Sequence, residues 1–152
     1  MVQPIPEGYH SLTPYLYVKG AADAIQFYEK ALGATEIMRL EAPGGLIGHA
    51  EIKIGNSHVM LADEHPDLDA IGPETRGGTT VSFCIYLEDV DAAFAKAIEA
   101  GGTEIRPLVD QFYGDRSGTF VDPYGHVWTL ATHIEDLTPE EMSARMAEMH
   151  GE

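Results

Sequence analysis

The residues with most chemistry to offer are His49 and Glu51, in the stretch GHAEIKIG at residues 48–55. On an extended strand a two-residue spacing puts both side chains on one face. Lys53 continues that face, and Ala50, Ile52 and Ile54 form the other. A carboxylate withdrawn from water can act as an acid or base near neutral pH, and a neighbouring imidazole can share its proton. Glu51 is therefore the candidate catalytic residue, with His49 beside it. A structural alternative uses the same residues: Glu51 pairs with Lys53 or Arg116 and closes a pocket rim. Arg116 is one of few basic residues and suits a carboxylate or phosphate clamp, or a salt bridge to Asp115, Asp110 or Glu51. Tyr15, Tyr17, Tyr86 and Tyr113 supply aromatic walls that stack planar compounds and hold cations. Cys84 has no Cys-His pattern around it and reads as a small buried hydrophobe. No nucleophile-elbow Gly-x-Ser-x-Gly and no phosphate-cradling glycine loop occurs, the paired glycines being turns and helix stops.

These residues are positioned by elements that recur. Residues 11–18, SLTPYLYV, alternate, with Leu12, Pro14, Leu16 and Val18 on one side and Thr13, Tyr15 and Tyr17 on the other. Pro14 cannot donate to a ladder, which predicts an edge or an unpaired side. A helix follows over Ala21–Leu32, stopped by Gly33, then strands at residues 35–40, 46–54 and 58–62. Residues 63–78 hold two prolines, three glycines and little periodicity, a linker that is mobile or covers something. The order then repeats: a strand at 80–87, a helix at 90–100 stopped by Gly101-Gly102, a strand at 103–108, and a closing hairpin of 112–121 and 126–132. That hairpin turns at Asp122-Pro123-Tyr124-Gly125.

The repeat survives arithmetic. Thr13 to Ser82 is 69 positions, as is Met60 to Thr129, while Thr35-Glu36-Ile37 recurs at Thr103-Glu104-Ile105, 68 positions on. The chain is therefore expected to be one α+β domain, residues 1–152, built from two tandem βαβββ modules. Module one spans 11–63, the linker 64–78 and module two 79–133. A C-terminal helix at 138–149 starts at Thr138-Pro139-Glu140-Glu141, a capping-box signature. Its Met142, Met146 and Met149 stripe packs either on its own domain or on a partner subunit.

With 152 residues the chain can bury a substantial core. Its 9 lysines and arginines against 25 aspartates and glutamates give a net charge of −16. That argues against nucleic acid or an anionic membrane as partner and would attract cationic ligands, although a solvated acidic surface also accounts for it. No apolar run approaches the roughly 20 residues of a membrane span, and the first residues lack a signal-peptide pattern. One cysteine excludes an internal disulfide framework and fits a reducing cytoplasm.

Paired βαβββ modules resemble the vicinal-oxygen-chelate superfamily of glyoxalase I, extradiol dioxygenases and bleomycin-resistance proteins, and within it the PhnB-like branch. The resemblance is carried by TPYLYVKGAADAIQFYEKALGA (13–34), GHAEIKIG (48–55) and FYGDRSGTFVDPYGHVWTLATHIEDLTPEEM (112–142). It implies that the strands bend into cups enclosing a pocket for a small molecule, and that the protein is a homodimer. Leu16, Val18, Phe83, Ile85, Trp128 and Leu130 would then be core, while Thr13, Tyr15, Met60, Ser82, Cys84, Tyr86 and Thr129 would face the cup. The superfamily's metal ligands would fall at Thr13, Met60, Ser82 and Thr129, none of them a competent donor, so neither a metal nor another cofactor is expected.

Of the seven histidines, His58 and His126 begin strands beside turns and are expected at the surface. His65 lies in the linker and His150 near the end. A non-standard divalent site from His49, Glu51 and His10 or His133, serving a lyase, isomerase or dioxygenase, is the competing reading. The leading one is metal-independent binding of an aromatic or cationic ligand by Tyr15, His49, Glu51, Met60, Cys84, Tyr86, Arg116 and Thr129.

Overall fold

A computed structural model describes residues 1–151. Module one comprises β1 (Tyr15–Val18), α1 (Ala21–Leu32), β2 (Thr35–Ala42), β3 (Leu46–Ile54) and β4 (Ser57–Asp63). A short helix, α2 (Pro73–Arg76), lies between the modules. Module two comprises β5 (Ser82–Tyr86), α3 (Val90–Ala100), β6 (Thr103–Asp110), β7 (Asp115–Val121) and β8 (Val127–His133), and α4 (Pro139–Met149) follows. The strands form two four-stranded sheets of the same order, β1-β4-β3-β2 and β5-β8-β7-β6. In each sheet the first strand runs parallel to the last and the other neighbours are antiparallel. This is the α+β tandem architecture expected.

β1 begins at Tyr15 rather than at residue 11, because Pro14 has no N–H to give and acts only through its carbonyl, which accepts from Met60 N at 2.9 Å. β2 and β6 run two residues further than expected. Both are edge strands with irregular registers, and in β6 Pro107 sits inside the irregularity. The side-chain alternation matches expectation: Leu16, Val18, Trp128 and Leu130 are buried, and Phe83 and Ile85 are packed against the same core. α1 packs on α3, so the helices join the modules.

Corresponding residues cap the first helix of each module. Asp63 accepts from Gly20 N and Ala21 N at the start of α1, at 2.8 and 2.9 Å. Thr132, 69 positions on, accepts from Val90 N at the start of α3 at 3.1 Å. At α4, Thr138 accepts from Glu141 N as expected, but the Glu141 carboxylate receives the Thr138 hydroxyl instead of reaching back to its backbone N–H.

The linker is folded. His65 and Ala70 form a bridge around a 3-10 turn at Pro66–Leu68, and Glu64 accepts from Gly72 N at 2.6 Å. Gly72 runs so close to β1 that a Cβ there would lie 2.4 Å from Tyr17 O. The linker therefore covers the end of the first strand.

The closing hairpin is organised by Asp122, which is 3 % exposed. One carboxylate oxygen accepts from Tyr124 N and His126 N, shaping the turn, and Gly125 takes a φ of 93°. The other accepts from Tyr28 Oη at 2.5 Å and Trp128 Nε1 at 2.9 Å, tying module two to α1 of module one. His126, expected at the surface, is buried, with Nε2 3.1 Å from the carbonyl of Tyr17. The turn that would have exposed it is pressed against β1.

Candidate functional site

The two sheets place the candidate residues in two groups. On module one, β1 lies beside β4 with Tyr15 opposite Met60, and β3 sets Glu51 on the other side of Met60. His49 and Glu51 share the open face of β3, as their spacing requires. His49 Nε2 is 2.9 Å from Glu51 Oε2, and His49 Nδ1 is 2.8 Å from Tyr15 Oη. Tyr15, His49 and Glu51 thus form one hydrogen-bonded chain across three adjacent strands, with Met60 on the strand between. Partial burial pushes the Tyr15 phenol above its ordinary value, with Tyr17 adding to the effect. The Tyr15 and Tyr17 rings are 5.1 Å apart.

Module two differs. Cys84 stands beside Thr129, and Thr129 beside Thr119, whose hydroxyl is 2.8 Å away. The positions matching His49 and Glu51 are Ser117 and Thr119, both buried and neither ionisable. Charge enters through Asp115, 5 % exposed, which accepts from Tyr86 Oη at 2.6 Å and lies 2.8 Å from His133 Nδ1. The bond to Asp115 holds the Tyr86 phenol up at about 12. His133 also reaches Asp136 at 2.7 Å, and these carboxylates raise its pKa. Cys84 is exposed rather than buried, since β5 is an edge strand and Cys84 faces the cleft between it and the N-terminal arm. Partial desolvation and Asp115 push its thiol up, away from the thiolate a nucleophile needs.

Arg116 belongs to neither group. It follows Asp115 on β7 and therefore points to the opposite face. Its guanidinium meets Asp91 of α3 at 2.9 Å and Asp110 of β6 at 3.0 Å. Of its expected partners only Asp110 is met, and the clamp reading is set aside. Asp115 is the ionisable residue missed in the sequence. Its alternation with Ser117 and Thr119 would have placed it on the open face.

The residues do not fit the superfamily's divalent ion. The parallel register sets Tyr15 beside Met60 and Cys84 beside Thr129, two residues along from Thr13 and Ser82. A thioether, a hydroxyl, a phenol and a protonated thiol do not offset the dehydration of such an ion. His49 has both nitrogens engaged, His133 binds Asp115 and Asp136, and His10 lines a separate cleft. Among the described residues no three His, Cys, Asp or Glu side chains converge as a metal site.

Two concavities adjoin these groups. A cleft of about 640 Å³ separates the N-terminal arm and the β3–β4 turn from β5, with Leu12, Thr13, His58, Ser82, Cys84 and Tyr86 among its walls. A smaller pocket of about 230 Å³ lies against Tyr15 and Tyr17 beneath the linker turn. No helix among the described residues is long and apolar enough to cross a membrane.

Comparison with known proteins agrees with this architecture. The uncharacterized protein Mb0911c of Mycobacterium bovis is 39% identical over 140 residues, covering 90% of this chain and 92% of that protein. The X-ray structure of the Arabidopsis thaliana At5g48480 product superimposes with a TM-score of 0.66 at 25% identity, covering 81% of this chain and 98% of that one. The PhnB protein from Bacillus cereus shares the fold with a TM-score of 0.61 at 20% identity, covering 81% and 99%. The profile of the Glyoxalase/Bleomycin resistance protein/Dioxygenase superfamily matches residues 9–130. With both sheets, their parallel first and last strands and this match in hand, the chain belongs to that superfamily.

Proposed function

We propose that this chain is a small-molecule-binding member of the superfamily that takes an organic ligand, aromatic or cationic, on its concave sheet faces without a metal ion. The observation that carries the reading is the Tyr15–His49–Glu51 chain beside Met60. It is a convergent polar group beside the Met60 side chain and the Tyr15 and Tyr17 rings, at the place where the superfamily's metal chemistry would lie. Glu51 ends the chain and is the residue to which a proton from the ligand would be relayed.

A homodimer is part of the reading. Tyr86 on the β5 edge is 63 % exposed, and Ile105 and Val109 on the β6 edge are also open, apolar positions that a second copy would cover. The lone unpaired Cys84 suits a reducing, cytoplasmic setting.

Metal analysis and ligand screening test this together. Protein purified without chelator or histidine tag is expected to hold no stoichiometric divalent ion. It is expected to melt higher with aromatic ammonium compounds, and the shift should shrink in Glu51→Gln. A stoichiometric ion, or a melting curve indifferent to every such compound, would overturn the proposal.

A further inference from the structure

We infer that the hollow between the C-terminal end of α1 and α3 is a separate small-molecule site, shaped for a neutral single-ring compound, because it is the space that the Phe27 ring fills at the matching contact of the other module. It lies on the helix side of β5 and β8, away from the Tyr15–His49–Glu51 face.

α1 packs on α3, and their contact contains two exchanged pairs of residues. Phe27 of α1 and Lys96 of α3 are counterparts, 69 positions apart, and Gly33 and Gly101 are the matching helix stops. Phe27 is 7 % exposed. Its ring lies against Gly101, where a Cβ would be 3.6 Å from the ring and 3.9 Å from Pro123, and the Tyr124 ring stands edge-on to it at 6.3 Å. The exchanged pair is Lys96 with Gly33, and a Cβ at Gly33 would meet nothing within 4 Å. There a lysine stem stands in place of the ring, and a hollow of about 340 Å³ remains.

Leu32, Ile85, Leu87, Ala93 and Leu130 form most of its wall. Ile85 and Leu87 are half-buried, whereas their module-one counterparts Leu16 and Val18 are 1 % and 0 % exposed, so module two leaves apolar core surface in contact with water here. The two charged residues that border the hollow are both exposed. Asp89 is occupied in accepting from Ala92 N at 3.2 Å, and among the described residues Lys96 forms no salt bridge. Their charges oppose one another, which leaves the apolar wall to select the ligand. An apolar cavity of about 150 Å³ suffices for benzene, so this space admits one ring with a small substituent. Such a ring would take the wall out of water, as Phe27 does in the matching contact.

Methyl-resolved NMR of the full chain titrated with toluene is expected to give saturable shifts at Leu32, Ile85, Leu87, Ala93 and Leu130. Lys96→Phe supplies the ring that module one has. It should weaken toluene binding about tenfold or more without lowering the melting temperature. Lys96→Gln keeps a linear stem, removes the charge, and should leave the affinity unchanged. Wall methyls indifferent to toluene, shifts confined to the concave faces, binding that survives Lys96→Phe, or a lower melting temperature in that variant would overturn the inference. Wall methyls that respond to dilution of the protein instead of to toluene would assign the hollow to a second copy and overturn it equally. None of these results bears on ligand binding at Tyr15, His49 and Glu51, which is read from other resonances.

Discussion

The two modules share element order, strand register and helix-capping positions, yet their open faces carry different chemistry. Module one sets an imidazole between a phenol and a carboxylate on β1 and β3. Module two puts buried hydroxyls of Ser117 and Thr119 at the matching β3 positions and moves its carboxylate to Asp115, between Tyr86 and His133. The difference shows which positions the scaffold constrains. Residues that pack or cap keep their role: Asp63 and Thr132 both cap the module's helix, and Leu61 and Leu130 are both fully buried. Residues on the faces away from the helices, half-buried at His49 and Glu51 and buried at Ser117, Thr119 and Asp115, have diverged.

Four perturbations test how the modules differ, beginning with the contact that joins them. Asp122→Ala leaves Tyr28 Oη, Trp128 Nε1 and two backbone N–H groups without an acceptor inside the core. It should cost about 3 kcal/mol or more, read in a melt as a loss of roughly 6–12 °C for a chain of this size. A melting temperature near that of the parent would show that the modules are held together elsewhere.

Gly118 stands where module one has Ala50, and Phe94 where it has Ile25. A Cβ at Gly118 would come within 2.8 Å of the Phe94 ring. Gly118→Ala should therefore destabilise by about 1–3 kcal/mol through overpacking, in urea denaturation, and pairing it with Phe94→Ile should recover part of the loss.

His133 gives module two a pH-sensitive contact. Its hydrogen bonds to Asp115 and then Asp136 raise its pKa in the folded chain. Its contribution is complete below the ordinary imidazole value of about 6.5 and fades as pH rises through the raised one. Stability followed across that window should fall with rising pH, and His133→Asn should flatten the slope. NMR titration of His133 should also move toward the ordinary value in Asp115→Asn.

The smallest effect is expected at the C-terminal appendage. α4 has no buried residue and is tied back through Arg145 to Glu135 and the Phe112 carbonyl. Ending the chain after Leu137 should change the melting free energy by no more than about 1 kcal/mol, the ordinary worth of exposed ion pairs.

Much of the fold was legible because alternation and helical spacing act over short stretches of chain. The eight strands, the helices at 21–32, 90–100 and 139–149 and the buried faces of β1 and β8 all follow from residues a few positions apart. The pairing of His49 with Glu51 was legible for the same reason. What the sequence concealed depended on distant elements. Arg116 found Asp91 because α3 lies over β7, 25 residues away in the chain. His126 is buried because its turn meets Tyr17, a separation of 109 residues. The linker offered no periodicity, and its order comes from single contacts such as Glu64 with Gly72. Tyr15 was placed on the open face, but its bond to His49 required the parallel register of β1 with β4.

The central claim is that the Tyr15–His49–Glu51 face of module one binds a small organic ligand unaided by a metal ion. The most direct measurement is chemical-shift mapping on chelator-treated, isotope-labelled protein titrated with an aromatic ammonium compound. Saturable shifts are expected at Tyr15, His49, Glu51 and Met60, unchanged when a divalent ion is added. Shifts that arise only with the ion, or that leave these four residues untouched, would contradict it.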